Sequence, residues 1–476
     1  MKLFNLFNKI KSLIVKRWNG EGGYWAVLVV AFPLILSSGM WTLQHFVDRM
    51  FLTWYSPEAI AASMPAGMIN FTVLSLFLGT ASFTSTFIAQ YHGSDQHNKI
   101  GSILWHGLFL AVGGGMINMT LIPFAESLFS FIGHDPLVQQ NEVIYLRILC
   151  LGSIPVIASS AISGFFSGRG KTWPVLWVNV LATIINLIMD YILIFGKFGF
   201  PEMGIAGAAI ATVVSGWVAL IAYIILILRP QYIKFYNILN SWRFDLTIFS
   251  RLMKFGFPSG VQFFLDMIGI SIFILLIGRI GMNQLAATNI TFNITTLTFM
   301  PMFGFGMAVS ILVGQSLGNE KPESAKQSVY SGFHMTFLYM LGFAVAYWTV
   351  PELFLRPFAF QADPSRFEQI KEITIILLRF AAIYTVFDTM NIIFSSAIKG
   401  AGDTRFVMII IFFVSLLGLV VPGFVVLVLF EADIYAAWII LSAYVILLGF
   451  IFWIRFQGGK WKDMLVIEKP SLPTGL

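Results

Sequence analysis

Apolar residues fill this chain in long runs, without the short alternation that strands require. A helix needs roughly 20 apolar residues to cross the hydrocarbon of a bilayer. Twelve runs reach this length, so the pattern predicts an all-α polytopic membrane protein. The predicted spans are 24–50, 57–88, 103–129, 138–165, 173–196, 203–228, 249–279, 285–316, 329–350, 370–397, 406–430 and 434–456.

The sequence repeats weakly across its midpoint, where residues 229–254 form the longest polar stretch between spans. Phe-Pro at 32–33 recurs at 257–258. Because each half holds six spans, the halves keep one orientation and are related by a pseudo-two-fold axis along the membrane normal. The predicted domains are a basic cytoplasmic leader at 1–23, six-helix lobes at 24–228 and 249–456, a cytoplasmic linker at 229–248 and a cytoplasmic tail at 457–476.

Charge is scarce and unevenly placed. Only 11% of the residues are charged and 58% are hydrophobic, so most of the surface must face lipid. Basic residues favour cytoplasmic loops, and 21 of the 29 Lys and Arg residues fall on the side that holds both termini. We therefore predict a bacterial inner-membrane protein with both termini in the cytoplasm. This bias accounts for the net charge of +6 without a nucleic-acid partner.

Four aspartates lie within predicted spans: Asp48, Asp190, Asp266 and Asp388. A charged side chain at the bilayer centre costs about 2.5–3.5 kcal/mol even on the gentler insertion scale. Such residues mark ion or substrate pathways. The alternative is a carboxylate that caps a helix or pairs with a nearby arginine, and it applies best to Asp48, which Arg49 follows.

The fifth predicted span carries a polar stripe that ends at Asp190. Asn179, Thr183, Asn186 and Asp190 recur at spacings of 4, 3 and 4, so they share one helical face. Their oxygens suit Na⁺, and the carboxylate also suits H⁺. Interhelical hydrogen bonding explains the amides but not Asp190. Candidates for the lining of a substrate cavity are Asn179, Thr183, Asn289 and Asn293.

The sequence motifs do not indicate an enzyme. The segment at 168–172 ends like a nucleotide-binding loop, but Phe165 stands where the first glycine is required. The six histidines show no paired metal spacing, and the single Cys150 excludes an internal disulfide. We expect neither an enzyme nor a protein with a bound cofactor.

Several segments together resemble the MATE multidrug and toxin extrusion transporters, and the NorM-like bacterial branch in particular. They are FGFPSGVQFFLD, GNEKPESAKQ, SSAIKGAGDTRF and NLIMDYILIFGKFGFPEMGIAGAAIAT, and the similarity runs from about residue 24 to 456. The resemblance implies a secondary active multidrug efflux transporter. Such a protein exports amphiphilic organic cations by antiport with Na⁺ or H⁺ through alternating access, and we expect a monomer.

The resemblance also implies roles for individual residues. Asp48, Asn186, Asp190 and Thr212 match the cation site of the family's N-terminal lobe. Asp266 and Asp388 match acidic positions of the C-terminal lobe, although NorM-like members often carry glutamate at the first. One alternative is a flippase for lipid-linked precursors with a related architecture, which would favour a basic cavity. A passive channel, the other alternative, is disfavoured by the repeat.

Overall fold

The computed structural model describes residues 17–359 and 364–468. Most of the predicted leader and the last eight residues of the predicted tail therefore lie outside the described residues. Within the described ranges the secondary structure is helical and contains no strand. The predicted all-α fold class is confirmed.

The helices are numbered here from Tyr24. Some predicted spans are divided into shorter helical segments, with breaks after Ser82, Met119, Leu151, Ser415 and Phe424. The helices are α1 Tyr24–Tyr55, α2 Pro57–Ser82, α3 Thr84–Gly93, α4 Ile100–Met119, α5 Ala125–Ile132, α6 Pro136–Leu151, α7 Ser153–Gly168, α8 Trp173–Phe195, α9 Gly204–Ile227, α10 Pro230–Phe235, α11 Leu246–Ile280, α12 Met282–Gly318, α13 Pro322–Thr349, α14 Pro351–Ala359, α15 Pro364–Ala401, α16 Thr404–Ser415, α17 Val421–Phe424 and α18 Ile434–Gln457, with π-helical turns at Leu416–Val420 and Val425–Leu429.

Eleven helical segments of the described chain are long and apolar enough to cross a membrane. The pair α6 and α7, bent by 43° at Gly152, makes a twelfth if it counts as one span. Several predicted boundaries differ from the observed ones by a few residues. The span predicted at 103–129 differs most, because it ends at Met119 and α5 is a separate helix. Pro123 lies in the intervening turn and has no backbone N–H to continue the helical hydrogen bonding.

The chain folds as two compact units. Of the described residues, the N-terminal unit comprises Leu36–Phe264 and 465–468, and the C-terminal unit comprises 17–35, 265–359 and 364–464. These bounds fall inside α1 and α11, whereas the sequence pattern suggests bounds in the neighbouring loops. The lobe boundaries at 24–228 and 249–456 stay a prediction.

Close helix packing in the N-terminal unit depends on small residues. A Cβ on Gly79 of α2 would lie 2.7 Å from the Cα of Gly260 of α11. No other residue permits that approach, which is the usual way that membrane helices gain packing energy.

A buried hydrogen-bond network joins four helices of the same unit. The side-chain amide of Asn118 on α4 donates to Asn70 Oδ1 on α2 at 2.8 Å and to Ser153 Oγ on α7 at 2.5 Å. Cys150 at the end of α6 donates its thiol to Asn70 Oδ1 at 3.7 Å. Asn118 and Ser153 are completely buried. Lipid offers no partners for such groups, so the chain supplies acceptors for the Asn118 amide, although Asn118 Oδ1 itself is buried without a partner.

The predicted linker packs against the N-terminal unit. The indole N–H of Trp105 donates to the carbonyl of Ile238 at 2.8 Å. Arg169, only 7% exposed, places its guanidinium 3.8 Å from the ring centre of Phe165 and donates to the Tyr236 hydroxyl at 3.2 Å. Cation–π contact and hydrogen bonds thus stabilise the charge where the linker covers it.

The described end of the tail docks on the same unit. The backbone N–H of Val466 donates to Oε1 of the buried Gln90 at 2.8 Å, and the Glu468 carboxylate bridges Lys99 at 2.9 Å and Arg251 at 2.8 Å. The hydrogen bond from Lys99, with Arg251 beside it, holds the pKa of the Glu468 carboxyl below its usual range.

We predict that Glu468→Gln loosens this tail. The Glu468 pKa is lowered in the docked state. Its contribution is therefore complete above the ordinary glutamate pKa of about 4.3, and it is lost as pH falls through the lower folded value. Hydrogen exchange of the 465–468 amides, corrected for intrinsic rates, should accelerate in the variant. The exposed Glu320→Gln serves as the control, and unchanged protection in Glu468→Gln would contradict the prediction.

Candidate functional site

Helices α1 and α8 bring two of the predicted acidic residues together inside the N-terminal unit. Asp48 is 4% exposed and Asp190 is completely buried. Their carboxyl groups lie close enough together to share one donor, as the next contacts show. Two carboxyl groups can hydrogen-bond to each other only when one of them carries a proton.

Asn186, one turn before Asp190 on α8, bridges the two acids. With its amide nitrogen facing them, it donates to Asp190 Oδ2 at 3.2 Å and to Asp48 Oδ1 at 3.0 Å. The other oxygen, Asp190 Oδ1, is buried and has no hydrogen-bond partner. We call Asp48 and Asp190 the acidic pair and Asn186 its bridging amide.

Side chains from α1 and α6 complete the surroundings of the acidic pair. Tyr145 on α6, 8% exposed, interacts electrostatically with both carboxyl groups, and Arg49 does so with Asp48. The imidazole Nδ1 of His45 lies 3.9 Å from Asp48 Oδ2. The sequence pattern did not single out Tyr145, because one tyrosine on an apolar helix has no periodic partner.

The rest of the polar stripe on α8 faces α1. Asn179 donates to the Ser37 hydroxyl, and Thr183 donates to the carbonyl of Met40 at 3.4 Å. These bonds join the helices, as interhelical hydrogen bonding predicts. A role for Asn179 and Thr183 in a substrate cavity stays a prediction.

Thr212, predicted to join the cation site, lies half-buried on α9. Its carbonyl accepts from Ser215 at 2.8 Å. In the described part of the chain, no hydrogen bond connects its hydroxyl with the acidic pair. The role of Thr212 therefore also stays a prediction.

Asp266 on α11 and Asp388 on α15 interact electrostatically in the C-terminal unit. Asp388 is 7% exposed and accepts a hydrogen bond from the Asn391 amide at 2.9 Å. Asp266 also interacts with Lys399, which lies within α15 and not in the predicted loop after residue 397. The helix continues to Ala401, so this site holds a basic group that the predicted boundary placed outside it.

Helix α12 separates its polar residues onto two faces. Asn289 and Asn293 are exposed, and the Asn293 amide donates to the carbonyl of Asn289 at 2.9 Å. The threonines of the other face are buried, and they contact aromatic side chains. Thr288 accepts from the Trp438 indole at 3.4 Å, and Thr298 bonds to the Tyr347 hydroxyl at 2.6 Å.

A further buried acid, Glu142, lies in α6 and is not one of the four aspartates predicted from the sequence. Its side chain is completely buried, and its Oε1 lies 2.7 Å from Nδ1 of His134. Its Oε2 is buried without a hydrogen-bond partner. The residue lies within the span predicted at 138–165, so a search for glutamates in spans would have found it.

Metal ligation of the usual kind is not seen: in residues 17–359 and 364–468, no three or more His, Cys, Asp or Glu side chains are placed to hold a metal ion. An ion at the acidic pair would therefore use two carboxylates together with amide, hydroxyl or carbonyl oxygens. Such oxygen ligands suit Na⁺, and the carboxylates alone suit H⁺.

The sequence model of the MatE family matches residues 33–192 and 258–422, which is well over half of the chain. The chain belongs to the MatE family. Members of the MatE family are transporters, so the expectation that this chain is not an enzyme is confirmed. The prediction of a multi-pass membrane protein is also confirmed.

Curated relatives and solved structures extend the MatE assignment. "Probable multidrug resistance protein NorM" of Thermotoga maritima is 27% identical over 449 residues, covering 93% of this chain and 94% of the relative. "Multidrug resistance protein PmpM" of Pseudomonas aeruginosa is 25% identical and covers 81% and 80%. An outward-facing multidrug resistance MATE family transporter superposes with a TM-score of 0.84 at 20% identity, covering 94% and 99%. At that identity the structural likeness shows the fold alone.

We predict that Asn186→Leu destabilises the N-terminal unit. The substitution removes the donor that the two acids share, which should lower the free energy of unfolding by about 1–3 kcal/mol. Thermal unfolding in detergent measures the change. The control is Asn293→Leu, at an exposed position of α12. Equal melting temperatures for both variants would contradict the bridging role.

Proposed function

We propose that this MatE protein is a multidrug efflux transporter of the bacterial inner membrane that exports amphiphilic organic cations in exchange for protons. The names of its curated relatives support the multidrug part. The geometry of the acidic pair supports the antiport, because it provides a buried group that can gain or lose a proton without leaving the fold.

The single observation that carries the coupling is the approach of two buried carboxyl groups, Asp48 and Asp190, to one shared amide. We assign one shared proton to this pair, because two unprotonated carboxylates would place two negative charges side by side. Loss of that proton leaves charge that only a cation can compensate. Na⁺ is the second candidate, since Asn186 would then turn its amide oxygen toward the ion. The donated amide, together with two carboxyl groups close to each other, favours H⁺.

Exchange follows from competition for negative charge. A proton taken up from outside neutralises a carboxylate and weakens the attraction for a cationic substrate, which then leaves on that side. The coupling is reciprocal, so substrate must weaken proton binding by the same factor. If one extra positive charge enters per cycle, the membrane potential adds about 2.3 kcal/mol per 100 mV.

The C-terminal unit contributes a second group of charges. We assign Asp266 and Asp388 to attraction of the organic cation, with Lys399 reducing their net charge when no substrate is bound. This arrangement disfavours a flippase for anionic lipid precursors, which would need basic groups instead. The transporter is proposed to act as a monomer with both termini in the cytoplasm.

Asp190→Asn should abolish proton-coupled efflux and leave the fold intact. Asparagine keeps the volume but cannot exchange a proton. Ethidium efflux from cells that lack their own pumps measures activity, and thermal unfolding in detergent checks the fold. The matched control is Asp433→Asn, at an exposed helix start where asparagine caps as well as aspartate. Full efflux by Asp190→Asn would overturn the assignment of the acidic pair.

Imposed gradients identify the coupling ion. In proteoliposomes, a pH gradient alone should drive ethidium transport, and a Na⁺ gradient alone should not. Transport under the Na⁺ gradient only would replace H⁺ by Na⁺ at the acidic pair. Absence of transport under both gradients, with folded protein, would favour the flippase, and flux without any gradient would favour a channel.

A further inference from the structure

We propose that His134 and Glu142 form a relay that carries protons from the predicted outer surface to the acidic pair. The inference rests on the proposed proton antiport and adds a route and two residues to it. It explains a buried glutamate that the exchange at Asp48 and Asp190 does not itself use.

The contact between the two residues has the features of a proton-transfer pair. The Glu142 side chain is completely buried, whereas 39% of the His134 side chain is exposed, and 2.7 Å separates Oε1 from Nδ1. Histidine is the side chain that exchanges protons most readily near neutral pH. One member therefore reaches solvent and the other reaches the interior.

Glu142 lies at the depth of the acidic pair. It is six residues after the start of α6 at Pro136, about 9 Å along the axis at 1.5 Å per residue. Asp190 is five residues before the end of α8 and Asp48 seven before the end of α1, about 8 and 10 Å from the same predicted outer side. A proton on Glu142 is therefore already at the depth of the acidic pair. It still has to move sideways, from α6 to α1 and α8.

Tyr145 provides that lateral step. It follows Glu142 by three residues on α6, so the two side chains share a helical face. It also packs in one buried cluster with Leu52 of α1 and Ile194 of α8, which lie one helical turn after Asp48 and Asp190. A phenol hydroxyl both donates and accepts, so it can pass a proton without changing its own charge.

Two buried oxygens lack partners at the ends of this step: Glu142 Oε2 and Asp190 Oδ1. A buried carboxylate oxygen without a donor is costly. A proton that binds first to one of these oxygens and then to the other removes the free-energy cost of the carboxylate to which it is bound. Structural ion pairing of Glu142 with His134 would account for Oε1 but not for Oε2.

The other charged groups around Glu142 do not offer a competing route. On α6 itself, Arg147 pairs with Glu126 of α5 at 3.6 Å, and Asp135 caps the helix start by accepting from Leu137 N–H at 3.0 Å. Helix α2 contributes Glu58 near its own start. Helices α7 and α9 carry no Asp, Glu, Lys, Arg or His, and α4 carries His106, which bonds within its own helix and to Asp245 N–H.

The relay conserves protons at each step. The His134 imidazolium gives its Nδ1 proton to Glu142 Oε1 and regains one from outer water. The protonated carboxyl group then turns about its Cγ–Cδ bond, so that the same proton faces the Tyr145 hydroxyl. Glu142 releases this proton to the hydroxyl as the hydroxyl gives its own proton to the acidic pair, and both groups then turn back. One proton enters from outside, one arrives at the pair, and all three relay side chains return to their starting states.

The test compares Glu142→Gln with Glu126→Gln in proteoliposomes in which a pH gradient drives ethidium transport. Glu126 is 77% exposed on the same side of the unit and serves as the matched control. We expect Glu142→Gln to slow transport about tenfold, in line with the loss of a positioned proton-transfer group. The equilibrium Kd for ethidium should stay within twofold of the wild-type value, since no substrate contact changes. Glu126→Gln should transport like wild type.

Chemical rescue separates a relay from a structural role. Formate can carry protons in the space that Glu142→Ala leaves, so it should speed transport by Glu142→Ala and leave Asp190→Asn inactive. Wild-type rates in Glu142→Gln, or a slow rate in Glu142→Ala that formate does not change, would overturn the relay. Wild-type rates in Asp190→Asn would instead overturn the proposed function itself.

His134→Gln covers the case in which Glu142→Gln does not fold, because His134 lies at the surface. We expect about threefold slower transport with the outer side at pH 7, since the imidazole then no longer collects protons. The difference from wild type should shrink when the outer pH is lowered and water delivers protons directly. Equal rates for His134→Gln and wild type at pH 7 would overturn the relay.

Discussion

The hydrocarbon interior offers no hydrogen-bond partner to the chain, and the rest of this structure depends on that constraint. The polar groups of the buried network around Asn118 meet each other across α2, α4 and α7. The stripe of α8 donates to α1. Several buried side-chain atoms of the described residues still lack a hydrogen-bond partner, Asn118 Oδ1 among them, and those that belong to carboxyl groups are Asp190 Oδ1 and Glu142 Oε2. These two oxygens are the ones to which we assign a mobile proton.

The same constraint explains how much of the fold could be predicted. Helices must satisfy their own backbones in lipid, so apolar length alone located the spans. The 4-3-4 spacing located the stripe because it depends on one helix only. Apolar length missed the end of a helix at Met119, which Pro123 could have indicated, and it could not show that α15 continues through Lys399.

Sequence analysis predicted the site residues that share one helix. It missed residues of the site that lie on other helices. Asn186 and Asp190 lie one turn apart, and resemblance supplied Asp48 from α1. Tyr145 and Glu142 belong to α6, and their meaning appears only when α6 lies beside the acidic pair. His134 is more remote still, since it is separated from Glu142 by a turn and the start of a helix. Contacts between distant parts of the chain are what single-sequence periodicity cannot supply.

The two units use their acids differently, although the sequence halves repeat. In the N-terminal unit two buried carboxyl groups share one bridging amide, which suits exchange of a single small ion. In the C-terminal unit Asp266 and Asp388 interact through space, with Lys399 among them, which suits a larger ligand with spread charge. At the 225-residue offset of the repeat, Asp48 corresponds to Phe273 and Asp266 to Trp41, so these acids are not copies of one another. We therefore propose a division of labour between ion and substrate in a repeated fold that carries two unlike acidic sites.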